Sequence, residues 1–325
     1  MKTWLIGGIA ALALPMMTFA QTDTGTQKGY RNATGSVCSD GGSCNRGCCA
    51  QPCGDCCQPS CCGCCGHWSL EGAALYWRTC FDDEVFFLET DGHRRTVRPN
   101  NEWGFKIKGE YLTCDQCKFA SLTYWYFDET DHGRVFDTND FERSGRLHHE
   151  YQRLSGRVGA YCCQGCKGGL YGYGGISWIY IRDHSRYFVD SSTPLDARQR
   201  GEFQAAGFEA GVGGHYKICG GFGVAAELGT VAAIGDRKSR LEETLGTQDL
   251  FFHYPSTTLC VPGLDTKLEL FYECTWCCFN WGVFVGYEQH YFWNVKKNRA
   301  FDFLNTARAQ DFGVGGLYFG ARVGY

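Results

Sequence analysis

The residues in this 325-residue chain best placed to do chemistry are its 22 cysteines. Eleven are packed into 28 residues: Cys38, Cys44, Cys48, Cys49, Cys53, Cys56, Cys57, Cys61, Cys62, Cys64 and Cys65. Nine more stand in four short stretches, as Cys114 and Cys117, Cys162, Cys163 and Cys166, Cys219, and Cys274, Cys277 and Cys278. Cys80 and Cys260 stand apart. Cysteines this dense either hold a metal as thiolates or oxidise to disulfides. The first twenty residues decide between the two. Lys2 is a positive n-region, Trp4 to Leu14 an apolar stretch, and Thr18-Phe19-Ala20 a small-residue cleavage site, so residues 1–20 read as a secretory signal. No cysteine follows the cut, which argues against a lipid anchor. An exported chain meets an oxidising compartment, so all 22 cysteines are disulfide candidates and neither metal nor cofactor is expected.

Residues 21–66 hold almost no apolar side chains and read as flexible, so cross-links rather than a core must shape them. Eleven and nine are both odd. Neither group can pair wholly within itself, so a bond must join them or reach another molecule unless one thiol stays free. Local staples within one chain and bonds between molecules both remain open.

Catalytic motifs are thin. Asp82-Asp83, Asp131-His132 and Asp183-His184 could supply the aspartates and the Asp-His pair that ten-stranded outer-membrane proteases use, but Gly-x-Ser-x-Gly and His-Glu-x-x-His are absent. The sequence predicts no enzyme, with a hydrolase as a remote alternative. After loss of Lys2 the chain keeps 30 of its 31 basic residues against 35 acidic ones, too mild a balance for a nucleic-acid partner.

The elements that carry these residues are strands. No stretch of eighteen apolar residues follows the signal, so no transmembrane helix is expected. Glycine reaches 44 residues, about double the usual ~7%, with 15% aromatics and only seven prolines. In Phe312–Tyr325, Gly313, Gly315, Leu317, Phe319, Ala321, Val323 and Tyr325 fall on one face, and Val314, Gly316, Tyr318, Gly320, Arg322 and Gly324 on the other. A terminal strand of this kind suits a closed barrel in a bilayer, with Phe319, Val323 and Tyr325 as the assembly signal. Trp103, Phe105, Ile107 and Tyr111 alternate with Lys106, Lys108 and Glu110 in the same way.

Ten strands are predicted, near 67–78, 102–113, 118–127, 147–161, 167–182, 202–217, 222–236, 266–273, 279–293 and 312–325, with twelve as the next count. A soluble sandwich would also alternate, but it would not need aromatics at both ends of the apolar face in strand after strand. Connections alternate between short turns, each holding cysteine, and loops of about sixteen to twenty-eight residues rich in charge. Short turns belong on the periplasmic side and long loops outside. That leaves only Cys80 and Cys260 outside, where a bond between them would clip the loops over the lumen; otherwise they are free thiols. The expected architecture is an all-β transmembrane barrel over residues 67–325 behind a cysteine-rich periplasmic segment.

The stretch Trp68-Ser-Leu-Glu-Gly-Ala-Ala-Leu-Tyr-Trp77, followed by Arg78-Thr-Cys80, resembles the first strand of the cysteine-rich major outer membrane proteins of Legionella and the chlamydia-like bacteria. That resemblance implies a bacterial outer-membrane β-barrel, often disulfide-linked, with porin activity in several members. The eleven-cysteine segment departs from it, being more like an envelope cross-linking region than anything a porin needs.

Inward faces are expected to carry Glu71, Glu110, Glu209, Glu227, Glu269 and Glu288 against Lys106, Lys108, Arg153, Arg157, Lys267 and Arg322. Six acids and six bases can line a narrow channel or pair across the lumen and plug it. The sequence therefore leads to a porin for small solutes that is also disulfide-linked into the envelope, with a structural or adhesive protein around a plugged barrel as the alternative. Expected partners are outer-membrane lipid, the barrel insertion machinery, other cysteine-rich envelope proteins and a second copy of the chain.

Overall fold

In a bilayer every backbone N–H and C=O must find a partner inside the protein, and a sheet achieves that only by closing on itself. The computed structural model does so. It describes residues 67–80, 85–88, 94–96, 99–113, 118–136, 142–165, 167–190, 194–276, 279–299 and 307–325. Twelve strands follow in order: β1 His67–Cys80, β2 Val85–Leu88, β3 Arg94–Thr96, β4 Glu102–Leu112, β5 Lys118–Phe136, β6 Glu142–Gly165, β7 Gly168–Val189, β8 Leu195–Cys219, β9 Phe222–Leu245, β10 Gln248–Trp276, β11 Phe279–Arg299 and β12 Ala307–Gly324. Ten of them form one closed antiparallel barrel in the ring order β1-β4-β5-β6-β7-β8-β9-β10-β11-β12, and β2 pairs with β3 as a separate hairpin. The ring closes between β1 and β12. Tyr325 N–H donates to the Trp68 carbonyl at 2.8 Å, and Trp68 N–H donates back to Tyr325 at 2.9 Å.

Alternation is strict through the spanning part of each strand. Leu70, Ile107, Leu122, Leu154, Ile176, Phe208, Leu268, Val283, Leu317 and Phe319 all point outward and are exposed, as lipid-facing side chains must be. Aromatic residues border this apolar belt on both sides. Trp68–Tyr111, Phe222–Tyr272 and Phe279–Tyr325 lie near the chain termini, with ring centroids 4.6, 4.8 and 5.4 Å apart. Tyr76–Trp103, Phe105–Tyr126 and Trp178–Tyr180 form the opposite border at 5.0, 5.5 and 6.0 Å. Amphipathic rings favour the two interfaces, so the belt fixes how the barrel sits in the membrane.

Two expectations change. The long connections are mostly strand, not loop. β9 and β10 run on past the belt and meet at Gly246–Thr247, so the 28 residues Arg237–Leu264 form a β-hairpin rather than an open loop. Outside lipid the outward face no longer has to be apolar, so the period-two signal fades while the ladder continues, with Leu147, Tyr187, Ala197 and Leu241 still buried inside. Cys260 therefore pairs with Ile234 inside the sheet, and Cys80 with Gly313. Both cysteines sit on outward positions, separated by β11 and β12. A bond between them would run over the outer wall, not across the mouth. The hairpin β2–β3 occupies the first long connection, which carried no recognisable strand pattern.

Cys162, Cys163, Cys219 and Cys274 lie at the end of the barrel where both β1 begins and β12 finishes. Cys114, Cys117, Cys166, Cys277, Cys278, Asp82-Asp83 and all of residues 1–66, with their signal and eleven cysteines, fall outside the described residues.

The register makes a direct prediction. Ile107 points outward between Gly72 and Tyr124, and Lys108 inward beside Glu110. Ile107→Arg is expected to cost about 2–4 kcal/mol of folding free energy in vesicles, the cost of an arginine near mid-bilayer. Lys108→Ala removes only a partly exposed pair and should cost about 1 kcal/mol or less. Urea titration followed by heat-modifiable gel mobility checks both; equal costs would mean a register wrong by one residue.

Candidate functional site

The inward face of the spanning segments is the only part of the barrel that could pass or process a solute, and alternation decides what stands there. Glu71, Lys106, Lys108, Glu110, Arg153, Arg157, Glu209, Glu227, Lys267, Glu269, Glu288 and Arg322 all occupy inward positions. At mid-height they join across the lumen. Arg153 on β6 grips Asp265 on β10, four strands away round the ring of ten, with both guanidinium nitrogens donating at 2.8 Å. The same guanidinium donates to Glu209 on β8 at 2.6 Å, and His290 Nδ1 lies 2.9 Å from Asp265. Lys106 bridges Glu71 and Glu288, each at 3.2 Å, and Trp125 Nε1 donates to Glu288 from the far side of the lumen at 3.2 Å.

Buried charges are costly unless paired and hydrogen-bonded, and here each faces an opposite charge, although Glu71 Oε1, Arg153 Nε and His290 Nε2 make no hydrogen bond among the described residues. Asp265 and His290 belong to this cluster although neither is among the charged residues the sequence placed in the lumen. Their only signal is an inward position beside Lys267 and Glu288.

Aromatic side chains fill the space the charges leave. Trp77, Trp125 and Tyr151 surround the His290 ring at 5.4, 5.4 and 5.8 Å, with Phe292 and Phe312 against Tyr151. Trp77, Tyr151, Phe292, Phe312 and Arg153 are each 0% exposed. Glycine on neighbouring strands makes room for such rings. A Cβ at Gly286 would lie 2.6 Å from the Tyr318 ring, and Tyr318 in turn donates to Glu269 at 2.8 Å. Inward glycines are therefore recesses for aromatic rings rather than an open bore.

Towards the termini the lumen loosens. Arg157 bridges Glu209 and Glu227, each at 2.6 Å, while Arg322 reaches Glu269 and, at 3.5 Å, Glu273. The Lys108 and Arg322 side chains are 29% and 26% exposed, so this end is a wet, charged vestibule. Beyond mid-height the opposite half is tightly closed. Thr79 donates its backbone N–H and its hydroxyl to Glu129, at 3.0 and 2.5 Å, and His149 Nε2 lies 2.7 Å from Asp183.

The Asp-His pairs flagged in the sequence do not assemble a hydrolytic centre. Asp131 and Asp183 point inward, so His132 and His184, their chain neighbours, point out of the barrel. Asp183 does meet His149, but that pair is buried at 1% and 4% side-chain exposure and offers no approach to a peptide.

The family model of the Legionella pneumophila major outer membrane protein precursor matches residues 62–324. That is most of the chain, which therefore belongs to this family and resides in the bacterial outer membrane. Several solved outer-membrane barrels align with the chain at low identity. The Escherichia coli outer membrane protease OmpT is 10% identical, with 80% of this chain and 96% of that one covered and a TM-score of 0.44. A Pseudomonas aeruginosa FadL homologue is 9% identical over 80% and 90%, with a TM-score of 0.27. The Pseudomonas putida toluene transporter TodX is 6% identical over 80% and 89%, with a TM-score of 0.28. Likeness at this level carries no argument about activity. No curated protein sequence matches the chain.

Three substitutions test the packing. Arg153→Ala leaves Asp265 and Glu209 facing each other in a dry interior and should cost about 3–5 kcal/mol. Lys217→Ala, which breaks the half-exposed Lys217–Glu273 pair at 3.2 Å, should cost at most about 1 kcal/mol. Gly286→Val should cost about 1–3 kcal/mol or more by crowding the Leu268 backbone carbonyl and displacing Tyr318. Denaturant titration of the three variants in one lipid decides whether the lumen is packed or empty.

Proposed function

We propose that this member of the major outer membrane protein family is a structural component of the envelope, a barrel closed at mid-height and covalently tied through its cysteine-bearing end. One observation carries the reading. Arg153, Asp265, Glu209, Lys106 and Glu288 join non-neighbouring strands across the lumen inside a collar of buried aromatic rings. Opening a path would break several charge-assisted bonds at once and leave unpaired ions in a low dielectric. A closed barrel can still anchor, space and cross-link. The exposed Cys162 and Cys163 at the end where β1 begins and β12 finishes suit bonds to the cysteine-rich segment before β1, to another copy, or to other cysteine-rich envelope proteins. At the opposite end the strands project past the belt as hairpins, a surface suited to contact outside the cell. Phe319, Val323 and Tyr325, outward on the closing strand, suit recognition by the barrel insertion machinery.

The second reading is a porin for small solutes. The charged vestibule around Lys108, Glu110, Arg322 and Glu273 favours it, since half a polar channel is present and the long side chains of Lys106 and Lys267 can swing. Planar-bilayer recording of refolded full-length protein separates the two. The closed-barrel reading expects no resolvable steps at moderate voltage from wild type. Regular ohmic steps from wild type would establish the porin instead. Peptide hydrolysis assayed in the same preparation should stay at background. A non-reducing gel of isolated outer membranes should show large species that collapse to monomer on reduction; a monomer in both lanes would remove the cross-linking role.

A further inference from the structure

We propose that the outward face of β6–β9, just above the outer border of the apolar belt, binds the phosphorylated headgroup of an outer-leaflet glycolipid. Two successive rows of outward side chains carry the argument. In the first, His148, His184, Arg200 and Arg240 stand directly opposite one another on β6, β7, β8 and β9. In the second, Arg146, Arg186, Arg198 and Glu242 do the same. Like charges directly opposite across antiparallel strands sit about 5 Å apart at Cβ and repel. A soluble sheet edge avoids such neighbours, and this wall has two sets in succession, Arg200 beside Arg240 in the first row and Arg146, Arg186 and Arg198 in the second.

The carboxylates nearby do not neutralise them. Asp196 is shared between Arg186 and Arg198 at 2.8 Å each, Glu242 pairs with Arg240 at 2.8 Å, and Asp128 lies 3.4 Å from His148. Among the described residues Arg146 and Arg200 have no ion-pair partner, and both are exposed. These two rows therefore hold five arginines and one carboxylate, Glu242, with Asp196 reaching in from the row beyond, while the row beneath alternates Glu150 and Glu202 with Arg182 and Lys238. An external anion is the missing counter-charge, and the planar guanidinium fork suits phosphate.

Height selects the anion. Tyr180 marks the belt border on β7, and His184 and Arg186 follow it by four and six residues. At about 3.3 Å per residue and a tilt near 40°, the rows stand roughly 10–15 Å above that border. A phospholipid head occupies only about 5–7 Å per leaflet, so its phosphate lies below them. A glycolipid that carries phosphate on its sugars reaches the rows. Beneath them a hollow of about 500 Å³ on the same wall, lined by Trp178, Glu202, Gln204, Asp236, Lys238 and Thr258 among others, gives a sugar an aromatic face and both charged and neutral hydrogen-bonding groups at the border.

The test uses full-length protein refolded into phosphatidylcholine vesicles doped with a labelled short-core lipopolysaccharide, with binding read as energy transfer from the protein's tryptophans. Removing Arg146, Arg200 and Arg240 together as Gln should weaken binding on the order of a hundredfold, about fivefold per arginine. Enzymatically dephosphorylated lipopolysaccharide should bind wild type and variant equally weakly. Heat-modifiable mobility establishes that the variant is folded, and relief of the like-charge ladder should leave its stability in plain phosphatidylcholine unchanged or higher. Equal binding by folded wild type and variant overturns the proposal. So does equal enrichment of phosphatidylglycerol, or displacement of the glycolipid by inorganic phosphate at matched phosphate concentration, which would make the rows a site for free anions. None of these readouts depends on whether the lumen conducts.

Discussion

The closing seam between β1 and β12 is the constraint on which everything else depends. An open sheet edge in lipid would leave a row of unpaired N–H and C=O groups, each costing several kcal/mol, so the ring must shut with whatever number of strands the chain provides. The Trp68–Tyr325 pair at the rim and the register from Leu70↔Val323 to Cys80↔Gly313 make that seam continuous. Once ten strands close, the bore is small, little wider than barrels that fill with their own side chains. Closure thus dictates the lumen, and the lumen decides between transport and structure.

Filling a narrow bore with hydrocarbon alone would suffice for packing. This chain fills it with paired ions set in aromatic rings, an arrangement that is seldom the most stable one, because desolvation offsets most of the Coulomb gain. What it secures is shape. Arg153 ties β6 to β8 and β10, and Lys106 ties β4 to β1 and β11, so opposite walls are held at fixed separation. A round, rigid barrel with one wet end and one closed end suits an anchor that bears lateral load. The exposed thiols of Cys162 and Cys163 lie at the wet end, where the chain enters and leaves the sheet.

Much of the barrel was legible in the sequence because lipid enforces a simple rule. Outward residues in the belt are apolar, as Trp103, Phe105 and Ile107 on β4 and Leu317 and Phe319 on β12 illustrate, and period two follows at once. Where that rule lapses, legibility lapses too. Beyond the aromatic borders the outward residues become Arg182, His184 and Arg186, the inward ones mix Asp183 and Ser185 with Tyr187, and β7, β9 and β10 ran on unseen into what read as loops. Inward aromatics such as Trp125 and Tyr151 were masked by the aromatics of the lipid face, since neither side of those strands is purely polar. Ion partners were illegible for a different reason. Arg153 and Asp265 lie 112 residues apart, and only closure of the ring brings them together. Adjacent Asp-His pairs misled because neighbours on a strand must point to opposite faces, as Asp131 and His132 do.

The account stands or falls on whether water reaches the middle of the lumen. Solid-state NMR of the protein in lipid, with magnetisation transferred from water to isotope-labelled arginine side chains, reads this directly. A closed barrel requires rapid build-up at Arg322 in the vestibule and at exposed Arg200, with little at Arg153 on the same timescale. Build-up at Arg153 as fast as at Arg322 would mean a continuous water column, and the closed barrel would have to be abandoned.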